Sequence, residues 1–265
     1  VTVRQLFPLA AGSPDLPGLY AYPAGPWLRA NMVSSADGAA TLTGVTKALS
    51  SETDRHVFAL LRTLSDVIVV GAATARKERY KPARPRELWR HLREGRPPTP
   101  PIALVSRRLD LDPQSPLITA APADARTIII TTAQAPPDRR AELATRADVI
   151  VAGEQTVDLV AAVSALADRG HQRMLAEGGP HLLAQFVAAG LMDELCLTIG
   201  PLMAGPDASR IVAGPPAAEP RPLTLAHVLE DDGFLLCRYI TKAHLPRNGR
   251  WCLPPARSGS QASAG

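Results

Sequence analysis

The residues best suited to chemistry lie where strand-like runs meet helical ones. Glu177-Gly178-Gly179-Pro180-His181-Leu182-Leu183 follows an apolar run and opens a helical pattern. Paired glycines let backbone N–H groups approach a ligand, and a helix N-terminus carries partial positive charge that suits phosphate. The same pair also serves a plain tight turn that needs glycine's backbone freedom. A second junction is Val67-Ile68-Val69-Val70-Gly71 running into Ala72-Ala73-Thr74, small residues followed by a hydroxyl. The third is Ser106-Arg107-Arg108, where an arginine fork either grips a phosphate, such as a 2′-phosphate, or simply meets solvent. In open α/β sheets ligands bind beyond the carboxyl ends of the strands, so three such ends reinforce one another. None is the GxGxxG fingerprint of a Rossmann unit.

The elements that must position these residues follow from periodicity. Strand-like runs at 28–33, 67–70, 102–105, 127–131, 149–151, 174–176 and 194–199 alternate with helical patterns at 54–63, 86–93, 138–146, 157–169 and 181–189. Val57, Leu60, Leu61 and Leu64 recur at helical spacing, with Ser51 as N-cap. Runs at 223–229 and 234–239 flank Asp231-Asp232-Gly233 and predict an antiparallel hairpin. The pattern predicts an α/β fold with a mostly parallel central sheet and an antiparallel C-terminal edge. Residues 243–265 lack periodicity and read as a flexible tail.

Composition removes several classes. The chain has 265 residues, 46% hydrophobic and 20% charged, which suits a folded core rather than disorder. No apolar run reaches the roughly 18–20 residues of a membrane span. The first eight residues lack a charged-then-apolar leader pattern, which predicts a cytoplasmic protein. Cys196, Cys237 and Cys252 stand outside metal-ligand spacing, and the six histidines show no zinc pattern, so no metal is expected. Four of the 29 cationic residues are lysine, leaving 25 scattered arginines, most of which read as background composition. With only 4% aromatics, nucleic acid is not expected as a partner.

Four segments in order carry a resemblance: Ala30-Asn31-Met32-Val33-Ser34-Ser35-Ala36-Asp37-Gly38, then Asp66-Val67-Ile68-Val69-Val70-Gly71-Ala72-Ala73-Thr74, then the 177–183 turn, then Gly190-Leu191-Met192-Asp193-Glu194-Leu195. Over residues 27–242 the chain resembles the pyrimidine reductase of riboflavin biosynthesis, often the C-terminal half of a bifunctional deaminase–reductase. The deaminase half has no counterpart here, so a stand-alone reductase is implied. The resemblance implies a dihydrofolate-reductase-like three-layer α/β/α fold, NADPH as hydride donor, a small heterocyclic substrate and a homodimer. It also implies a reductase domain at 27–242, with 1–26 as a lead-in packed on it and 243–265 as the tail.

Residue by residue, it implies that Thr74 and the segment 179–185, with Gly71, Gly178, Gly179, Pro180, His181, Leu182 and Leu183, line the cofactor. Ser106 would meet the adenosine 2′-phosphate with Arg107 beside it, Val33 and Ser35 would meet the nicotinamide side, and Glu78 would meet a cofactor ribose. Thr46, Asp54 and Glu177 would bind substrate, with Asp54 and Glu177 as the catalytic residues that hold the heterocycle. The implied reaction moves a hydride to the sugar C1′ of an imine-like ribosylamino group, giving ribitylamino. Asp37 carries two readings, a site residue or an Asp-Gly turn.

Departures from the family pattern bear on substrate. Bacterial bifunctional members carry Arg-Arg-Asp at the first helix, with one arginine on the substrate phosphate, whereas here stands Asp54-Arg55-His56. A second arginine-bearing segment is replaced by Glu78-Arg79-Tyr80-Lys81-Pro82-Ala83-Arg84, with Arg84 off register. An aspartate repels phosphate but suits an amidine edge, or it merely favours the helix dipole. Reduction of a pteridine or dihydrofolate on the same fold, and a non-catalytic NADP-binding module, therefore stand as alternatives.

Overall fold

The computed structural model describes residues 3–42, 46–205, 208–215 and 220–241. Ten strands form one sheet: β1 (Arg4–Phe7), β2 (Trp27–Ser35), β3 (Val67–Gly71), β4 (Ile102–Val105), β5 (Ile128–Thr131), β6 (Asp148–Val151), β7 (Arg173–Ala176), β8 (Glu194–Gly200), β9 (Leu223–Asp231) and β10 (Phe234–Thr241). Their spatial order is β1-β9-β10-β8-β2-β7-β3-β4-β5-β6. From β8 to β6 every pairing is parallel; β10 joins β8 antiparallel, and β1 closes the edge on β9. The expected α/β sheet with an antiparallel C-terminal edge is present.

Alternation along β3 explains the three layers. Ile68 and Val70 join one apolar cluster and Val67 and Val69 the other, because successive side chains point to opposite faces. The first face is covered by α1 (Leu16–Leu19), α2 (Glu52–Leu64), α3 (Ala72–Lys77), α4 (Pro116–Thr119) and α5 (Pro137–Ala144), the second by α6 (Leu159–Asp168) and α7 (Pro180–Ala188). Helix α2 buries Val57, Leu60, Leu61 and Leu64, and its Ser51 cap accepts from the Asp54 amide.

Boundaries moved where a cap or turn intervenes. The expected 157–169 helix starts at Leu159 because Asp158 caps it, accepting from the Ala161 amide. The run 72–77, to which the sequence pattern assigns no element, is helix α3. The 86–93 segment is a 3₁₀ stretch, Glu87–Arg93, kinked at Trp89. In the hairpin, Asp231 pairs with Phe234, leaving Asp232 and Gly233 at positive φ, as the tight primed turn demands. Residues 4–7 of the lead-in are a strand of the main sheet, and the tail 243–265 lies outside the described residues. Among the described residues no helix is long and apolar enough to cross a membrane, and no cluster of His, Cys, Asp and Glu is arranged to hold a metal.

A buried ionic cluster joins β2, β8 and β10. Glu194 is fully buried and paired with Arg29 (Nε–Oε1 2.6 Å) and Arg238 (Nε–Oε1 2.8 Å, Nη2–Oε2 2.9 Å). Trp27 Nε1 also donates to it (2.9 Å), Arg29 stacks 3.9 Å from the Tyr22 ring centre, and Arg238 reaches the Leu19 carbonyl (2.6 Å). Burial alone would raise the Glu194 carboxyl, but Arg29 and Arg238 outweigh it and hold it at about 2. Breaking one partner of such a cluster leaves buried charge uncompensated. Glu194→Gln is expected to lower unfolding free energy by about 3–5 kcal/mol in urea titration. A loss under about 1 kcal/mol would show that the cluster contributes little.

Beside it, burial first and then Arg238 push the His227 imidazole down to about 3. A folded value below the unfolded one means stability is complete above about pH 6.5 and lost as pH falls toward 3. His56 and His171 are shifted the same way, chiefly by burial. Stability should therefore fall between pH 7 and pH 5, with His227→Gln reducing the slope by about one proton. An unchanged slope in that variant would place the proton uptake elsewhere.

Candidate active site

Parallel pairing brings the carboxyl ends of β2, β7, β3 and β4 to one edge, so the three junctions singled out in the sequence become neighbours. The ends of β3 and β7 are locked together: the Glu177 amide donates to the Val69 carbonyl and the Gly71 amide to the Gly178 carbonyl, each at 2.9 Å. Gly178 has φ +87, and the Gly178–Gly179 peptide is cis. A Cβ on Gly179 would lie 2.1 Å from Thr74 Oγ1, so only glycine fits against that threonine. Gly179 opens α7 with no side-chain cap, leaving the first amides of that helix to another acceptor.

The expected cofactor residues fall into different environments. Gly71, Thr74, Gly178, Gly179 and Pro180 surround this turn, and His181 is exposed at the start of α7. Leu182 and Leu183 are core side chains, 6% and 1% exposed, so only their backbone faces the turn. Ser106 is buried at the end of β4, its amide bonded to the Ile130 carbonyl, and Arg107 beside it is exposed. The Ser35 hydroxyl donates to Asp37 and accepts from the Ala39 amide. Asp37 in turn accepts from the Ala204 and Gly205 amides. The Ser35 bond and then these amides hold the Asp37 carboxyl at about 2. Of its two readings, the structure displays the turn.

A cleft of about 270 Å³ opens beside the turn. Asn31, Met32 and Val33 of β2 form its floor, Asp54, Arg55 and Phe58 of α2 one wall, and Thr74, Glu78 and Tyr80 the other, with Thr46, Ser50 and Glu177 at its margins. Asp54 thus sits in the first turn of α2 and on the cleft at once. Its carboxylate accepts from Ser50 Oγ (2.5 Å). Glu177 has a 2% exposed side chain, and both oxygens are engaged: Arg62 Nε donates to Oε1 (2.7 Å), Arg62 Nη2 and Tyr80 OH donate to Oε2 (2.6 and 2.8 Å). Thr46, Phe58, Glu78 and Tyr80 are shared with an adjoining cleft of about 430 Å³, whose walls carry Arg62, Arg79, Lys81, Arg84 and Arg86 against the single acid Glu78.

Sequence reasoning missed Asn31, Arg55, Phe58, Arg62 and Tyr80. Asp54, Phe58 and Arg62 recur every fourth residue on α2, a polar-aromatic stripe on a helix whose other face is apolar, and that was the available signal.

Residues 26–235 match the RibD C-terminal domain. The chain belongs to that family. Among its relatives is the 2,5-diamino-6-ribosylamino-4(3H)-pyrimidinone 5′-phosphate reductase of Methanothermobacter thermautotrophicus, 34% identical over 191 residues, or 71% of this chain and 84% of that one. A pyrimidine reductase-like protein from Corynebacterium diphtheriae shares the fold with TM-score 0.75 at 30% identity, covering 87% of this chain and 96% of that one. At the level of fold alone the chain is also similar to the deaminase/5-amino-6-(5-phosphoribosylamino)uracil reductase of Thermotoga maritima, with TM-score 0.62, 17% identity, and coverage of 82% and 57%. Within the RibD C-terminal family the chain is a reductase, and the family implies a nicotinamide cofactor.

Gly179→Ala should destabilise the fold by about 1–3 kcal/mol, because the threonine it meets is a stiff β-branched side chain. Adding Thr74→Ala should recover at least half of that loss in thermal unfolding. Strictly additive losses in the double variant would show that the two residues do not touch.

Proposed function

We propose that this chain is an NADPH-dependent reductase of a phosphorylated ribosylamino-pyrimidine, acting as a cytoplasmic homodimer. The observation that carries the reading is the continuity of one crevice: an uncapped α7 N-terminus against Thr74, then an aromatic cleft with a carboxylate, then a cationic cleft. These suit, in turn, a cofactor diphosphate, a heterocycle with exocyclic amines, and a substrate phosphate. The residues present fit the cofactor, since the start of α7 has no side-chain cap and lies directly against the Thr74 hydroxyl. The Gly179, His181 and Leu182 amides and Thr74 would hold its phosphates, and Ser106 with Arg107 would favour the form carrying a 2′-phosphate. When bound, a nicotinamide cofactor supplies the hydride.

The chain's own part is orientation and exclusion of water. Met32 and Val33 give an apolar floor, Phe58 and Tyr80 give ring faces, and Asp54, fixed by Ser50, accepts from ring amines. Arg55 stands next to Asp54 on the same wall, so the helix start keeps a cation even though an acid precedes it. The cationic cleft favours a phosphorylated substrate over a pterin. Two buried thiols without a disulfide, Cys196 and Cys237, suit a reducing compartment.

The purified chain is expected to oxidise NADPH in the presence of 2,5-diamino-6-ribosylamino-4(3H)-pyrimidinone 5′-phosphate or its deaminated counterpart. Removing the substrate phosphate should cost at least about tenfold in kcat/KM, and Asp54→Asn about 10- to 100-fold. No turnover with either pyrimidine, or turnover of dihydrofolate that collapses in Asp54→Asn, would overturn the assignment in favour of a binding module or a pteridine reductase respectively.

A further inference from the structure

The carboxylate that leads into the cofactor turn reaches the cleft only at its margin, with 2% of its side chain exposed. Glu177 is the last residue before Gly178, its amide is tied to β3, and its side chain turns away under α2. Arg62 meets it with a two-pronged bond and is itself held between two rings, 4.4 Å from the Phe58 centre and 5.4 Å from that of Tyr80. Tyr80 adds its hydroxyl to the same carboxylate oxygen as Arg62 Nη2. Burial would weaken the Arg62 charge, and the Glu177 carboxylate beside it more than restores it. The Tyr80 phenol is held protonated by burial first and then by Glu177, so it stays a donor.

The connection has a direction. Tyr80 lies on the loop after α3 that walls both the aromatic and the cationic cleft, whereas Glu177 is continuous with the turn that opens α7. The Glu177 backbone continues directly into the Gly178 peptide, whose carbonyl accepts from the Gly71 amide, and from there into the start of α7. The two bonds from Arg62 and the one from Tyr80 therefore tie the substrate side of the crevice to the backbone that faces the cofactor.

We propose that Arg62 and Tyr80 are positioning residues that act through Glu177 to set the cofactor turn relative to the substrate cleft. This rests on the reductase reading above. It assigns to Glu177 an internal anchoring role in place of direct contact with substrate.

The test compares wild type, Tyr80→Phe and Arg62→Lys by thermal unfolding, by fluorescence titration of NADPH without substrate, and by steady-state kinetics. Tyr80→Phe keeps the ring and removes one bond; Arg62→Lys keeps the charge and removes the fork. Tyr80→Phe should unfold within about 3 °C of wild type, the scale of a small stability change. It should weaken NADPH binding about 3- to 10-fold and lower kcat about 10-fold or more, because small misplacements are costly in hydride-transfer geometry. KM for the pyrimidine should change less than about twofold, since uniform substrate binding is untouched. Arg62→Lys should move the same two parameters further. If Tyr80→Phe fails to fold, Glu177→Gln, which keeps the shape and an acceptor oxygen, is measured for the same parameters with the same expectation. NADPH affinity and kcat both unchanged, or a change confined to the pyrimidine KM, would overturn the proposal. Wild-type protein that neither binds nor oxidises NADPH would instead overturn the reductase reading on which it rests.

Discussion

The close approach of β3 and β7 is the constraint on which the site depends. Two backbone hydrogen bonds bring Gly71 against Gly178 and Val69 against Glu177, and the space between Gly179 and Thr74 has no room for a Cβ. Because the strands are parallel, this contact falls at their carboxyl ends, where α3 and α7 both begin. The turn is thus made of backbone, and no side chain caps the first amides of α7. The same geometry sends the Glu177 side chain to the opposite side, toward α2, where Arg62 and Tyr80 receive it. One contact between strand ends separates a backbone surface at the α7 start from the side-chain cleft beside α2, and the proposed placement of cofactor and substrate rests on that division.

Charge is used inside this protein rather than displayed as a single basic face. Arg29 and Arg238 neutralise Glu194 within the sheet layer, and Arg62 does so for Glu177 at the cleft margin. Arg93 donates to the Thr63 and Ser65 carbonyls and Arg96 to those of Leu64 and Ser65, closing the C-terminal end of α2. The remaining concentration of positive charge, from Arg79 to Arg86, borders the cleft. Reading the arginines as compositional background was therefore wrong for those that have buried partners.

Much of the architecture was legible because its signals are local. Fully apolar runs such as 67–70 predict buried parallel strands, and the Ser51 cap with the spacing of Val57, Leu60 and Leu64 predicts α2. Asp231-Asp232-Gly233 marked the hairpin for the same reason. The strand β1 was not legible, since four residues with one buried position carry no periodicity of their own and gain their structure from the β9 edge. In the site, the Gly-Gly turn, Thr74 and Asp54 were visible as residue types at junctions. Arg62 and Tyr80 were not, because their role arises from a carboxylate 115 and 97 positions away in sequence. The Ser35–Asp37 turn was half legible: Asp-Gly announced a turn, but not that Asp37 would bind the amides of the loop after β8.

The central claim is that cofactor and substrate meet in one crevice divided by the Gly178–Gly179 turn. A crystal structure of the chain with NADPH bound tests it most directly. The diphosphate is expected on the Gly179, His181 and Leu182 amides beside Thr74, with the nicotinamide over Met32 and Val33 and facing the cleft that holds Asp54 and Phe58. A diphosphate bound away from the α7 start, or a nicotinamide outside that cleft, would contradict it.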